Sequence, residues 1–489
     1  MHDVEPFGLA VGLVALAALI AVLSNRVSGW LRVPAPAIFL VAAAVASDVF
    51  PRLGSLPIVV DQRIVTVALV LILFDGGMHI GWPRFRAAAG AVAWLGVAGT
   101  AVTAGGVALA GHLIFGFSWR SALLLGTALA PTDPAVVFAV LGRREVGGRT
   151  GTLLEGESGA NDPVAIALMV TLLGATGSGW QAIGAGFGAF LLQMVLGAVL
   201  GVLGGWTLLQ LMRRVPLPNE ALYSVRTVAF ACLLYGVTTV AHGSGFLAVF
   251  LAGIVVGDAR APYKREIEHF ASALGTLSEI VVFTVLGLTI SVRHVFSSGE
   301  VWTGLAVAAL LILIVRPLLV GLVLLPVDLR RGERIFVLWA GLKGAVPIVL
   351  GTFVLSGGVH DGGRIYDVVF VVVLVSVAVQ GGLVPTAARL LRVPMRVVEP
   401  EPWALRLRLR DEPRGLRRYF VTAGSPADGC AISALDVGDA AWISMVSRDG
   451  QLVRVRGSTR LQAGDEVLVL ADPEDGAIGE LDQVFGRRE

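Results

Sequence analysis

Polar and ionisable side chains interrupt two otherwise apolar stretches of the chain, and their chemistry needs an explanation. They are Glu157, Ser158, Asn161 and Asp162 in LLEGESGANDPVAIALMV, residues 153–170, and Thr132 and Asp133 in GTALAPTDPAVVF. The residues around them are typical of membrane helices. Because an ionisable side chain in the middle of a bilayer is costly, such a residue usually marks an ion pathway or a binding site.

The spacing of these side chains suits a site for an alkali cation. Ser158 and Asp162 are four residues apart, so they lie on the same face of a helix. Together with an oxygen of Thr132 they offer hard oxygen ligands, which suit alkali cations by analogy with other hard ions. Low-dielectric surroundings favour the neutral form of a carboxylate, so Asp162 could hold either a proton or a cation. We therefore expect an alkali cation at Asp162, Ser158 and Thr132, where competition between the two ions is sufficient for exchange.

Two helices are predicted to be broken in the middle. Pro131 and Pro134 flank Asp133 in the first helix, and glycines surround Lys343 in WAGLKGAVPIVLG in the second. Proline removes a backbone donor and clashes with the preceding turn. The two breaks fall in the fifth and twelfth apolar segments, which cross the membrane in opposite senses, and this pattern points to an inverted-repeat secondary transporter. We expect Asp133 and Lys343 to compensate the opposing half-helix dipoles at the break.

The remaining charges inside apolar segments fit structural ion pairs. Glu279 in LSEIVVF and Arg316 in LIVRPLL would make each other tolerable if their helices are neighbours. Glu157 and Lys343 could pair in the same way. We therefore predict two structural ion pairs, Glu279 with Arg316 and Glu157 with Lys343.

The composition predicts that all these residues belong to a membrane protein. Of 489 residues, 55% are hydrophobic and 15% charged, whereas soluble domains carry about 25% charged residues. A spanning helix needs about 20 mostly apolar residues, and this rule predicts an all-α polytopic protein with about 13 such helices. The predicted segments are 7–25, 34–50, 63–79, 87–111, 119–141, 153–175, 181–211, 221–241, 245–258, 272–292, 301–326, 335–356 and 365–392.

The loops between these segments predict how the chain crosses the membrane. If the N-terminus lies outside, most loop arginines and lysines fall on the inner side, as the positive-inside rule requires. The first apolar segment follows Asp3 and Glu5 instead of a basic region, which favours a membrane helix over a signal peptide. The C-terminal part is then expected in the cytoplasm.

The chain is predicted to have three parts: a membrane domain at 1–396, a linker at 397–416 and a small α+β domain at 417–489. Basic residues of the linker could also touch anionic lipid. The tail shows strand-like alternation, a hairpin turn at Asp449-Gly450 and a closing helix at 474–485. It lacks a G-x-G-x-x-G after a strand, so a complete nucleotide-binding Rossmann unit is absent. Cysteine and histidine spacing predicts no disulfide framework and no metal centre, and we expect neither a cofactor nor a nucleic-acid partner.

Four motifs in this order resemble a known transporter family. The motifs LFDGGM, TDP, GESGANDPVA and GLKGAVPI are similar to those of cation:proton antiporters of the NhaP and sodium/proton exchanger type. The tail motifs GSPADG, WISMVSRDG and RLQAGDEVLVLADP resemble a TrkA-C (RCK-C) domain. Their combination most resembles bacterial potassium/proton antiporters of the CvrA kind, which favours potassium as the cation and leaves sodium possible.

The resemblance implies a role for each residue of the proposed site. Asp162 would be the carboxylate shared by proton and cation, and Ser158 with the main chain of Thr132 would help to ligate the ion. Asn161 would brace the site, and Asp133 would organise the crossing of the broken helices. An Asn-Asp pair, in place of two adjacent acids, implies electroneutral one-for-one exchange.

The same resemblance implies further properties of the protein. Asp75 matches a position that is often Glu and would lie near the site. Glu157 would pair with the basic residue of the twelfth helix, which is usually Arg and here is Lys343, so bidentate geometry is lost. The fold would be that of the thirteen-helix sodium/proton antiporters, and the protein would form a homodimer in a bacterial inner membrane. A small regulatory ligand at the TrkA-C-like domain is also implied.

Alternative functions come from other classes of protein. The motifs GESGA and VAHGSG echo an intramembrane serine protease in which His242 would activate Ser158. That reading leaves Asp133, Asp162 and both broken helices unexplained. A channel would need a filter repeated around an axis, and the sequence contains none. A cation-coupled solute symporter also uses broken helices, and it remains the main alternative to an antiporter.

Overall fold

The computed structural model describes residues 35–50, 57–141, 144–174, 180–397, 416–435, 441–448, 451–471, 481 and 483–485. The chain divides into two compact units, Met1–Pro402 and Trp403–Glu489. The first predicted membrane helix, the turn at Asp449-Gly450 and nearly all of the predicted linker lie outside the described residues.

The described part of the first unit is helical apart from one short pair of strands. Its helices are α1 Ala35–Val49, α2 Ile58–Ile80, α3 Trp82–Leu113, α4 Trp119–Ala128, α5 Pro134–Leu141, α6 Gly148–Gly174, α7 Trp180–Arg214, α8 Glu220–Val240, α9 Gly245–Gly257, α10 Lys264–Leu288, α11 Val292–Ser297, α12 Glu300–Val323, α13 Arg331–Trp339, α14 Ala345–Ser356 and α15 Gly362–Leu390. The strands β1 Arg144–Val146 and β2 Met395–Val397 pair in antiparallel fashion. This pair joins the segment after α5 to the segment after α15, and no sequence signal predicted it.

The predicted membrane segments from residue 34 onward each coincide with a helix or with two half-helices. Among the described residues, six helices are long and apolar enough to cross a membrane: α3, α8, α10, α12, α15 and residues Gly184–Arg214 of α7. The all-helical membrane fold is therefore confirmed. The total of thirteen spans remains a prediction, because the first segment lies outside the described residues.

Both predicted helix breaks are present. The first broken helix stops at Ala128 and resumes at Pro134, and the second stops at Trp339 and resumes at Ala345. Proline suits the first position of α5 because its missing N–H would have no partner there. The two breaks touch each other, since the backbone N–H of Asp133 donates to the carbonyl of Leu342 at 2.8 Å.

Three long helices contain π-helical segments, which the sequence reasoning did not predict. They are Leu95–Gly99 in α3, Leu311–Val320 in α12 and Ser376–Gly381 in α15. The segment in α12 contains Pro317, which cannot donate an ordinary helix hydrogen bond. Wider π-helical turns are rare and occur often at functional sites.

The second unit contains a four-stranded antiparallel sheet in the order β3-β6-β4-β5. Its strands are β3 Leu416–Phe420, β4 Ala441–Arg448, β5 Gln451–Val453 and β6 Glu466–Ala471. Alternate residues such as Val467 and Val469 point to the core, where Leu481 and Phe485 are also fully buried. The described residues of the predicted closing helix, 481 and 483–485, are helical. The small strand-containing tail domain is thus confirmed.

Candidate ion-binding site

Asp162 lies in α6 and is a buried carboxylate. Only 7% of the residue is exposed. Within the described part of the chain, its Oδ1 atom is buried and accepts no hydrogen bond. Asp133 and Lys343 are near enough to interact with it electrostatically. A buried oxygen without a donor is costly, and an ion would supply the missing interaction.

Asn161 and Thr132 connect α6 to the first helix break. The Asn161 Nδ2 donates to Thr132 Oγ1 at 2.7 Å, and the Thr132 N–H donates to Asn161 Oδ1 at 3.4 Å. Both residues are buried, and so is Ser158, one turn before Asp162 on α6. Thr132 and Asn161 are therefore in direct contact, and Ser158 and Asp162 lie one turn apart on the helix that carries Asn161.

Asp133 serves the N-terminal ends of two half-helices. Its Oδ1 accepts the N–H of Ala135 at 2.9 Å, in the first turn of α5. Its carboxylate also lies directly against Gly344, where the Cβ of any other residue would overlap it. Gly344 immediately precedes α14. A negative charge is favourable at a helix N-terminus, so one carboxylate compensates both half-helix ends.

Lys343 serves the C-terminal end of the first half-helix. Its Nζ donates to the carbonyls of Ala130 at 3.0 Å and Pro131 at 2.8 Å, just beyond α4. Only 1% of the lysine is exposed. The structure therefore places the Lys343 ammonium on backbone carbonyls of the break, and not on Glu157 as the sequence had suggested.

Glu157 pairs with Arg316, which corrects both predicted ion pairs. The Arg316 Nη2 lies 3.2 Å from Glu157 Oε1. The same guanidinium donates to the carbonyls of Leu338 at 3.0 Å and Val337 at 3.2 Å, at the end of α13. An arginine has five donors in a planar fork, so it can serve a carboxylate and a helix end together. It packs over Gly341, where a side chain would collide with it.

Glu279 is left outside the predicted pair with Arg316. Its Oε1 atom is buried and has no hydrogen-bond partner among the described residues. The prediction failed because sequence spacing does not say which helices are neighbours. Arg316 contacts α6 and α13 from the π-helical segment of α12, whereas Glu279 lies on α10.

Asp75 lies on α2 against α10. Its Oδ1 accepts from Ser272 Oγ at 3.1 Å and lies 3.4 Å from His79 Nδ1. None of its hydrogen bonds in the described part of the chain reaches Asp162. No direct contact among the described residues therefore supports the prediction that Asp75 lies near the ion site.

Two polar residues beside the second break were not predicted from the sequence. Ser376 and Gln380, in the π-helical segment of α15, are both buried and both contact the second break. Their position in the apolar stretch VVLVSVAVQGG is the signal that could have found them. Arg316 was predicted to form an ion pair, but its contact with the end of α13 was not predicted.

The fold and this site define a class: a helical membrane transporter with two broken helices that cross beside buried carboxylates. The family model of the transmembrane sodium/hydrogen exchanger matches residues 14–390, and the TrkA-C domain model matches residues 416–482. The first match covers most of the chain. The chain therefore belongs to the sodium/hydrogen exchanger family.

Curated relatives match over nearly the whole chain. The K(+)/H(+) antiporter NhaP of Alkalimonas amylolytica is 34% identical over 482 residues, covering 96% of this chain and 82% of the relative. The K(+)/H(+) antiporter NhaP2 of Shewanella sp. (strain MR-4) is 33% identical over 486 residues, covering 97% and 82%. The solved structure of the sodium proton antiporter MjNhaP1 from Methanocaldococcus jannaschii is similar with a TM-score of 0.68 and 20% identity, covering 79% of this chain and 99% of that one.

Family membership excludes the protease alternative. The family consists of transporters, so the protein is not an enzyme. The geometry agrees with this conclusion: Ser158 is buried within α6, whereas His242 is exposed just after the end of α8.

Proposed function

We propose that the protein exchanges potassium for protons across a membrane. The proposal rests on relatives named K(+)/H(+) antiporters, which resemble this chain through both the membrane unit and the tail. The family description and the MjNhaP1 neighbour name sodium, so sodium is the second candidate ion. Membership of an exchanger family favours antiport over the symporter alternative.

The observation that carries the mechanism is the buried Oδ1 of Asp162, which accepts no hydrogen bond from the described residues. Such an oxygen can bind a proton or a cation, but the two cannot occupy it together. Ser158 and Thr132 add oxygen ligands for the cation, and Asn161 holds Thr132 in place. Because the neighbour of Asp162 is an amide and not a second acid, one proton exchanges for one cation.

Fixed charges at the helix breaks support the mechanism. Asp133 neutralises two half-helix N-termini, and Lys343 neutralises the end of α4. These charges compensate the half-helix dipoles whether or not an ion is bound. The state of Asp162 can then change without loss of the crossing.

Further parts of the proposal concern assembly and location. The protein is proposed to work as a homodimer in a bacterial inner membrane, with the N-terminus outside and the tail in the cytoplasm. Its TrkA-C domain is proposed to bind a small regulatory ligand. The loop charges support the orientation, and the family resemblance supports the dimer.

The test is cation-dependent proton flux in proteoliposomes containing the purified full chain. An acid-inside pH gradient is imposed, and K+, Na+, Li+ or choline is added outside while a pH dye reports the lumen. Dissipation by K+ but not by choline is expected. Dissipation by Na+ alone would contradict the potassium assignment, and no response to any cation from folded protein would favour the symporter.

A further inference from the structure

The second helix break leaves buried backbone groups that the helix itself cannot satisfy. Helix α13 ends at Trp339 and α14 begins at Ala345. An unpaired backbone group in a low-dielectric interior is strongly unfavourable. Irregular backbone therefore persists at such a place only when other groups hold it.

Two side chains of α15 bind two of these backbone groups. The Lys343 N–H donates to Ser376 Oγ at 2.9 Å, and the Trp339 carbonyl accepts from Gln380 Nε2 at 2.5 Å. The two side chains are joined to each other, because Ser376 Oγ donates to Gln380 Oε1 at 2.8 Å. We call this group of two residues the α15 clamp.

The α15 clamp has one consistent pattern of donors and acceptors. The serine hydroxyl gives its only proton to Gln380 and accepts from Lys343. The amide of Gln380 accepts with its oxygen and donates with its nitrogen, so a rotated amide would place its oxygen against the Trp339 carbonyl. Only 1% of Ser376 and 2% of Gln380 are exposed, which leaves no open surface for replacement of these bonds by bulk water.

The α15 clamp binds the backbone of the second break, and this backbone in turn contacts the first break. The residue whose N–H binds Ser376 is Lys343, and its ammonium lies on the Ala130 and Pro131 carbonyls of the first break. The neighbouring Leu342 carbonyl accepts from Asp133. A shift of the 340–344 backbone would therefore move both contacts between the two breaks.

We propose that Ser376 and Gln380 are positioning residues for cation and proton exchange. They touch neither ion; they fix the second break, and through Lys343 and Leu342 they fix the first break beside Asp162. The transport part of this inference rests on the proposed exchange function.

Amide hydrogen exchange tests the structural part without reference to transport. In the full chain, Ser376→Ala should speed exchange of the peptide covering residues 340–344 by about tenfold, since one buried hydrogen bond is lost. Ser376→Thr, which keeps the hydroxyl, should restore protection. The matched control is Ser224→Ala, which removes another buried hydroxyl, one that donates to the Glu266 carbonyl, and it should leave this peptide unchanged.

Transport kinetics test the positioning part. Ser376→Ala and Gln380→Leu should raise the KM for K+ by about tenfold, as expected for the loss of one buried hydrogen bond at an organised site, with a smaller change in maximal rate. Gln380→Glu gives a further signature. A carboxyl group at this position can donate to the Trp339 carbonyl only when it is protonated, so the activity profile of this variant should shift to lower pH.

The outcomes separate this inference from the proposed function. Suppose that the wild type exchanges ions, and that the folded variants Ser376→Ala and Gln380→Leu have the same KM and the same amide protection as the wild type. The positioning role of the α15 clamp is then overturned, whereas the proposed exchange function stands. If amide protection is lost but KM and the pH profile are unchanged, the positioning role is overturned. If the wild type exchanges no cation, the proposed function and the role in exchange fall together.

Discussion

Glu157 and Asp162 are two carboxylates on the same helix in two different surroundings. Both residues are buried, with 5% and 7% of their surface exposed. The Glu157 carboxylate faces the Arg316 guanidinium at 3.2 Å. The Oδ1 of Asp162 accepts no hydrogen bond from any described residue. Both residues are acidic and lie on the same helix, so the hydrogen-bond partner of each carboxylate decides what that carboxylate can do.

The difference arises from the groups that the two nearby basic side chains, Arg316 and Lys343, already bind. Arg316 binds Glu157 and the end of α13 together. Lys343 interacts electrostatically with Asp162, but its ammonium donates its hydrogen bonds to the carbonyls of Ala130 and Pro131. A permanently bonded cation would hold Asp162 ionised and occupied. The proposed exchange needs the Oδ1 of Asp162 to be available to a proton or a cation.

The largest effect is expected at Asp162. Asp162→Asn should abolish cation-dependent proton flux in proteoliposomes, because an amide cannot exchange a proton for a cation. The protein should still fold, since the Oδ1 of Asp162 accepts no hydrogen bond from the described residues that the change would break. Size-exclusion chromatography and thermal unfolding check the folding. A well-folded variant that retains flux would contradict the role of Asp162.

A smaller effect, on stability, is expected at the partnered acid. Glu157→Gln leaves the buried Arg316 charge without its counter-ion, and loss of one member of a buried pair costs about 3–5 kcal/mol. Thermal unfolding of the purified protein should reveal this loss. Adding Arg316→Gln should recover part of it, since the double change leaves no unpaired charge, and the two effects should be non-additive.

The matched control for Glu157 is a half-buried acid with a lysine partner. Glu268 lies 3.0 Å from Lys264 and is 43% exposed, so Glu268→Gln should cost under about 1 kcal/mol. If Glu157→Gln proves equally mild and instead abolishes transport, the contrast between the two acids of α6 would disappear.

The sequence predicted the helix breaks better than it predicted the contacts between helices. Proline and glycine positions predicted both breaks, and the charges at those breaks predicted that Asp133 and Lys343 would compensate helix ends. The ion pairs were wrong because periodicity shows which residues share a face of one helix, but not which helix lies opposite. Glu157 and Arg316 are far apart in the chain, and only packing brings them together. The π-helical segments that contain Arg316, Ser376 and Gln380 were not predicted, because no local sequence propensity indicated them.

A third buried carboxylate, Asp465 in the tail domain, extends the comparison beyond the membrane helices. It is fully buried and bound by two nitrogens of Arg448, at 2.7 and 2.8 Å, and by the N–H of Gln462 at 2.8 Å. Burial alone raises the pKa of Asp465, but the hydrogen bonds from Arg448 and Gln462 outweigh it, so the pKa lies below its ordinary value. Like Glu157, this acid binds an arginine, whereas the Oδ1 of Asp162 accepts no hydrogen bond from the described residues.

Among Asp162, Glu157 and Asp465, the smallest effect is therefore expected at Asp465 in the tail, and it should depend on pH. Because the pKa of Asp465 is lower in the folded state, its contribution is complete well above the ordinary aspartate pKa of about 3.9 and is lost as the pH falls through the folded value. Asp465→Asn should cost about 2 kcal/mol at pH 7, measured by amide exchange of strands β4 and β6 in the full chain. That difference from the wild type should shrink between about pH 5 and pH 3. A difference that stays constant with pH would mean that Asp465 stabilises the tail by packing alone, and the analogy with Glu157 would fail.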